Sequence, residues 1–167
     1  KIVHPNLSRV VDFGHVSDHI YFVSEYFDGT TLNNFRFNKA RVNDFYDIIV
    51  QICYALNALH TQNIMHNDLK PENILYRKTR NGIEVKVIDY GFSRPELSLD
   101  TQYVTGTLPY IAPEIYTGKG ACYASDFYSL GVLIYRMLTG SFPFTLDQIN
   151  AMRSSRRQYF SPVYPVD

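Results

Sequence analysis

The sequence predicts an α+β domain. Three observations carry that expectation. Two short runs near the amino end alternate like strands. A second pair of strand-like runs lies mid-chain. Two longer segments on either side of that pair are helical, one by its spacing and one by its continuous apolarity.

The elements follow in order. Leu7 to His15 reads as a strand with Val10, Val11 and Phe13 apolar, and Ile20 to Ser24 reads as its partner. Ser17-Asp18 suits the hairpin turn between them. Asp28-Gly29 breaks the pattern, and a short polar helix is expected through Leu32 to Phe35. From Asn43 to His60 the period becomes helical, with Phe45, Ile48, Ile49, Ile52, Leu56 and Leu59 on one face. Asn43 is the expected N-cap, with Asp44 and Asp47 in the first turn. Ile74-Leu75-Tyr76 and Val85 to Ile88 read as two strands, with Asn81-Gly82 as the turn signal between them. Pro95 to Gly118 carries little periodicity. Asp126 to Leu138 is apolar on nearly every side, so a buried helix is expected, capped by Ser125 and stopped by Gly140. The tail, Ser154 to Asp167, is polar and then punctuated by proline.

Composition narrows the function. Length alone, 167 residues, fits one domain. The 16 basic and 16 acidic side chains cancel, so no basic excess points to nucleic acid or to an anionic membrane. Cys53 and Cys122 stand far apart with no CxxC pair, which favours reduced thiols and a cytoplasmic protein. The longest apolar run, around Leu130 to Tyr135, is far too short for a membrane span. His4, His15, His19 and His60 show no zinc-ligand spacing. The amino end has neither a signal pattern nor an initiator Met, so the chain reads as a fragment or a processed product.

The chemistry concentrates in His66-Asn67-Asp68-Leu69-Lys70-Pro71-Glu72-Asn73. One carboxylate, one ammonium and one carboxamide share this short loop. That set suits phosphoryl transfer: Asp68 to orient and deprotonate a hydroxyl, Lys70 to hold the migrating charge, Asn73 to bind a metal ion. Asp89-Tyr90-Gly91, Ala112-Pro113-Glu114 and Asp126 follow in order. Asp89 ends an apolar strand, a placement suited to a metal-binding carboxylate.

In this ordered set the chain resembles the eukaryotic protein kinases. Lys70 to Asn73 and Gly106-Thr107-Leu108-Pro109-Tyr110 resemble the serine/threonine branch. The resemblance implies a kinase-like fold: 1–24 as the end of an N-terminal lobe, 25–31 as the hinge and 32–167 as the helical C-terminal lobe. It implies ATP and Mg2+ as cofactors and a protein substrate; the charge balance and the short apolar runs already argue against nucleic acid or membrane as partner. Asp68, Lys70 and Thr107 are then the catalytic set, and Asn73 and Asp89 the metal ligands. Ser24, Glu25, Tyr26, Phe27, Glu72, Leu75 and Ile88 are then the nucleotide-binding set, with Ser24 as gatekeeper.

The resemblance also assigns supporting roles. His66 is a packing residue, Asp126 ties its helix to the catalytic loop, and Glu114 pairs with a later arginine. Tyr90 replaces the usual phenylalanine, so its hydroxyl needs a partner or solvent. Thr31 stands where some basophilic kinases place an acid. Asn67 replaces an arginine that grips a phosphate on the activation segment, so phosphorylation of Thr101, Tyr103 or Thr105 is not the expected switch. A glycine-rich loop, a strand lysine and a helix glutamate are not found in this chain, nor are the family's last helices. The exposed sheet is therefore expected to need a missing N-terminal segment or a partner chain. The alternative function is a weak or inactive scaffold of pseudokinase type.

Overall fold

The computed structural model describes residues 2–90, 107–116 and 118–155. Strands β1 (Val10–Val16) and β2 (His19–Ser24) form an antiparallel hairpin that turns at Ser17, whose φ is 52°. β1 begins at Val10 rather than Leu7, because the preceding residues are used elsewhere. Ser8 N–H donates to Val87 O at 2.9 Å, and Val87 N–H donates to Asn6 O at 2.8 Å. The hairpin leaves Phe13, Ile20 and Phe22 at least 65% exposed, matching the open apolar sheet expected from the sequence.

Strands β3 (Thr30–Thr31), β4 (Ile74–Thr79) and β5 (Gly82–Val87) form a second sheet in the order β3-β4-β5, antiparallel throughout. β4 and β5 extend further toward their turn than the apolar residues alone suggest. Polar positions there pair across the ladder, with Arg77 donating to Glu84 Oε2 at 2.6 and 2.8 Å. β3 had no sequence signal beyond two threonines, and a single 3-10 turn, Leu32–Asn34, stands where the short helix was expected.

Helix α1 (Val42–His60) buries Phe45, Ile48, Ile52, Leu56 and Leu59 as its period requires, and Ile49 is half-buried. Asn43 is not its N-cap. A 3-10 turn, Lys39–Arg41, runs straight into the helix, so Arg41 takes the cap position without a side-chain cap bond. Leu7, Leu69, Ile74, Val85, Val87 and Leu133 complete the core with this face. Full burial of such side chains is worth about 1.5–3 kcal/mol each.

Polar side chains complete the joint between α1 and β5. Gln51 Oε1 accepts from Val85 N–H at 3.0 Å, and Gln51 Nε2 donates to Ile83 O at 2.9 Å. Asn6 Nδ2 donates to Val85 O at 3.0 Å and to Gln51 Oε1 at 2.8 Å.

Beyond the short α2 (Pro113–Tyr116), helix α3 (Tyr123–Thr139) starts earlier than its apolar run. Cys122 is its N-cap, and Ser125, expected in that role, is its partner in a capping box. Gly140 ends the helix with φ 75° and donates its N–H to Arg136 O, as expected. The helix is buried on one face only: Asp126, Ser129, Leu130 and Leu133 face inward, whereas Phe127 is 53% exposed and Leu138 45%. Helix α4 (Leu146–Ser155) was not expected. A reciprocal pair starts it, since Gln148 N–H donates to Thr145 Oγ1 and Thr145 N–H donates to Gln148 Oε1. Among the described residues no helix is long and apolar enough to cross a membrane.

Candidate active site

The octet forms the loop between α1 and β4. Asn63 ends α1 in left-handed backbone, φ 56°, and Ile64 N–H returns to Leu59 O at 3.1 Å. The chain then passes over α3, where Asp126 is wholly buried. Its carboxylate accepts from His66 N–H and Asn67 N–H, both at 2.9 Å, and from His60 Nε2 at 2.8 Å. Asp126 therefore does what the sequence suggested: it fixes the loop's backbone to the helix.

His66 is also wholly buried. Its Nδ1 accepts from Asp68 N–H at 3.3 Å, which leaves Nε2 to donate to Ile88 O at 3.2 Å. Burial holds its pKa below the ordinary imidazole value, against an opposing pull from Asp126. A sealed, neutral imidazole with both nitrogens engaged is a brace between the loop and the end of β5, in keeping with a packing residue.

Asn67 lies in left-handed backbone, φ 63°, and is buried. Asparagine tolerates that conformation better than most residues. Among the described residues its Oδ1 has no hydrogen-bond partner. Gly91, Gly106 and the acceptors Thr101, Tyr103 and Thr105 lie outside the described residues.

The loop brings Asp68, Lys70 and Asn73 together, and Thr107 joins them from far along the chain. Lys70 Nζ donates to Asp68 Oδ2 at 2.6 Å and to Thr107 Oγ1 at 2.8 Å. Thr107 Oγ1 in turn donates to Asp68 Oδ1 at 2.8 Å. Asn73 Nδ2 donates to Asp68 O at 2.9 Å and to Asp68 Oδ2 at 3.2 Å. Both carboxylate oxygens are thus aimed by charged or polar donors, which fixes their direction.

A cavity of about 550 Å3 opens between the hairpin and β4–β5. Six of the expected nucleotide-binding residues line it: Ser24, Glu25, Tyr26, Phe27, Leu75 and Ile88. Asp89, in left-handed backbone at φ 56°, lines it as well. Ser8, Val10 and Phe22 are walls that the sequence reading missed, although strand alternation could have placed Val10. Glu72 is not among the lining residues; its Oε1 accepts from Asn33 Nδ2 at 2.6 Å. Tyr90 Oη donates to Ser8 O at 2.6 Å, so the extra hydroxyl has its partner, and burial raises its pKa.

The carboxylate of Glu25, just after β2, is held by an unforeseen contact. Lys86 Nζ donates to its Oε1 at 2.6 Å and to Leu7 O at 3.3 Å. Arg9 N–H also donates to Glu25 Oε1, at 3.1 Å. The Lys86 bond, and then the Arg9 bond, hold the Glu25 carboxyl below its ordinary pKa. Glu114 accepts from Ser125 Oγ at 2.6 Å, which ties α2 to the start of α3.

The donor set fits a hard divalent cation. Asn73 spends its amide nitrogen on Asp68, so its other polar atom is a carbonyl oxygen, and Asp89 offers carboxylate oxygens. Among the described residues no three His, Cys, Asp or Glu side chains converge on one point. Mg2+ in general takes one or two protein groups and fills its remaining positions with phosphate oxygens and water.

Comparison with known proteins agrees with this geometry. The family model described as "Protein kinase domain" matches residues 1–164. Serine/threonine-protein kinase dkf-2 of Caenorhabditis briggsae is 37% identical over 155 residues, covering 89% of this chain and 13% of that protein. Serine/threonine-protein kinase Pkn1 of Myxococcus xanthus is 34% identical over 148 residues, covering 86% of this chain and 21% of that protein. This chain therefore spans only a minor part of those relatives' length. The solved structure of the Cydia pomonella granulovirus kinase PK-1 superposes with a TM-score of 0.71 at 30% identity, covering 86% of this chain and 55% of that one. With the ordered loop motifs and the matching fold, the chain belongs to the protein kinase family.

Proposed function

We propose that this chain is catalytic machinery of a protein serine/threonine kinase, moving the ATP γ-phosphoryl group to a serine or threonine hydroxyl of a protein. One observation carries the reading: the Asp68 carboxylate is held on both oxygens by Lys70, Thr107 and Asn73. Asp68 orients the acceptor hydroxyl and takes its proton as the new P–O bond forms. Lys70 sits beside the same carboxylate and faces the charge that develops on the transferring group. Thr107 keeps the two side chains in register. The cavity walls Leu75 and Ile88 offer apolar faces to a purine, and Glu25 to Phe27 offer main-chain groups. Asp89 and Asn73 are the residues that would hold Mg2+, which supplies charge neutralisation for the phosphates when bound. The Glu25–Lys86 pair supports the cavity by fastening the hinge to β5.

The test is Mg2+-dependent transfer of labelled phosphate from ATP to a mixed protein substrate, with nucleotide binding measured in parallel. Asp68→Asn should abolish transfer while nucleotide still binds, and Asp89→Ala should weaken Mg-ATP binding. A protein that binds no nucleotide would overturn the enzyme reading in favour of a scaffold.

A further inference from the structure

Tyr90 follows Asp89 directly and lines the same cavity. Its Oη donates to Ser8 O at 2.6 Å, and the backbone of Val10 hydrogen-bonds to the same oxygen. Ser8 is buried, and its own N–H donates to Val87 O at 2.9 Å. These contacts close a ring that runs along the chain from Val87 to Tyr90, across the hydroxyl to Ser8, and back to Val87. Asp89 lies inside that ring. On its other side, Ile88 N–H donates to Asn73 O at 2.9 Å. Asp89 is thus a single residue between two anchors, one on the catalytic loop and one on the amino-terminal segment.

The backbone of Asp89 needs both anchors. Its φ of 56° lies in the left-handed region, which residues with a Cβ adopt less readily. A residue held on one side only can relieve that conformation by rotating about its own φ and ψ, and its carboxylate then swings out of the cavity. Ring packing at Tyr90 resists displacement but sets no direction. A hydrogen bond at 2.6 Å fixes both a distance and an angle. The group that gains from a fixed Asp89 carboxylate is a cation held between it and Asn73. The purine walls Leu75 and Ile88 do not depend on it.

We propose that Tyr90 is a positioning residue whose hydroxyl, bonded to Ser8 O, holds the Asp89 carboxylate toward the cavity and so sets affinity for the metal-bound triphosphate rather than for the purine. The proposal rests on the kinase reading of Asp89 and deepens it. Tyr90→Phe in the full-length protein removes the hydroxyl and keeps the ring. Calorimetric titration should show Mg-ATP binding about fivefold more weakly to the variant, with adenosine binding unchanged. In an Asp89→Ala background the same change should weaken Mg-ATP no further. Hydrogen exchange without ligand reads the hydroxyl's hold directly. The Ile88 amide should exchange about fivefold faster in Tyr90→Phe, while the amide of Leu56, deep in α1, keeps its rate. Unchanged exchange at Ile88, or equal acceleration at Leu56, would overturn the proposal. So would an equal loss of adenosine and Mg-ATP affinity, or a further loss in the Asp89→Ala background. Faster exchange at Ile88 alone, in a protein that binds neither ligand, would uphold the hydroxyl's hold on Asp89 and count against the kinase reading instead.

Discussion

Replacing Asp126 by alanine should cost more stability than any other single polar change in the described chain. Its carboxylate is the acceptor for two buried backbone N–H groups, of His66 and Asn67, each at 2.9 Å. Alanine leaves both donors without a partner in a region closed to water. A buried donor stripped of its acceptor costs about 1–3 kcal/mol, so the pair costs roughly 2–6 kcal/mol. That compares with a total stability of about 5–15 kcal/mol for a typical domain. Asp126→Asn keeps one acceptor oxygen and turns an NH2 group toward the second donor, so it should cost about half as much. Urea unfolding of the full-length protein, followed by circular dichroism, measures both variants, with an unchanged m-value as the check on two-state behaviour. A loss under about 1 kcal/mol for Asp126→Ala would refute the claim that this carboxylate anchors the loop.

Three further predictions follow from the site. Thr107→Val removes the hydroxyl shared by Asp68 and Lys70 without changing side-chain size; kcat should fall about tenfold, or ~1.4 kcal/mol in barrier, with KM for ATP unchanged. An unaltered kcat would show that the hydroxyl does not align the pair. Gly140→Ala should lower stability by about 1 kcal/mol, because φ is 75° and no atom lies close enough to clash, so the cost is purely of backbone conformation. Thermal or urea unfolding reads that value. His66 is held neutral by burial, so the unfolded chain takes up a proton that the folded chain refuses as pH falls through the ordinary imidazole range. Stability contributed by this group is therefore full above that range and declines below it. Urea midpoints at pH 7.5 and 5.5 should differ less in His66→Gln than in wild type.

What the sequence made legible was local. The octet, Asp89 and the helix period of α1 are contiguous or regularly spaced, so chemistry and burial could be read from them directly. Asp126 and Thr107 were placed only through family resemblance, because nothing in their own neighbourhoods points to the loop they serve. Asn43 and Ser125 were misjudged as caps because cap choice depends on how the preceding chain enters the helix. At α1 that entry is already a 3-10 turn. Helix α4 was missed although Thr145 and Gln148 stand at capping-box spacing, since its weakly apolar composition hid the period. The Glu25–Lys86 contact and the Gln51 contacts join segments distant in the chain. Such polar pairings leave no periodic trace.

Gln51 and Asn6 have a consequence for solubility. One edge of β5 pairs with β4, and its other edge faces α1 and the amino-terminal segment with no strand of this sheet alongside. A bare strand edge is a template on which another chain can add itself. Here Gln51 occupies Ile83 O and Val85 N–H, Asn6 occupies Val85 O, and the backbone at Asn6 and Ser8 occupies Val87. Two carboxamide side chains and one backbone bridge thus act as an artificial neighbouring strand. They close the edge without presenting an edge of their own. Gln51→Leu would fill the same space and keep the core apolar, yet it would uncover the ladder to intermolecular pairing.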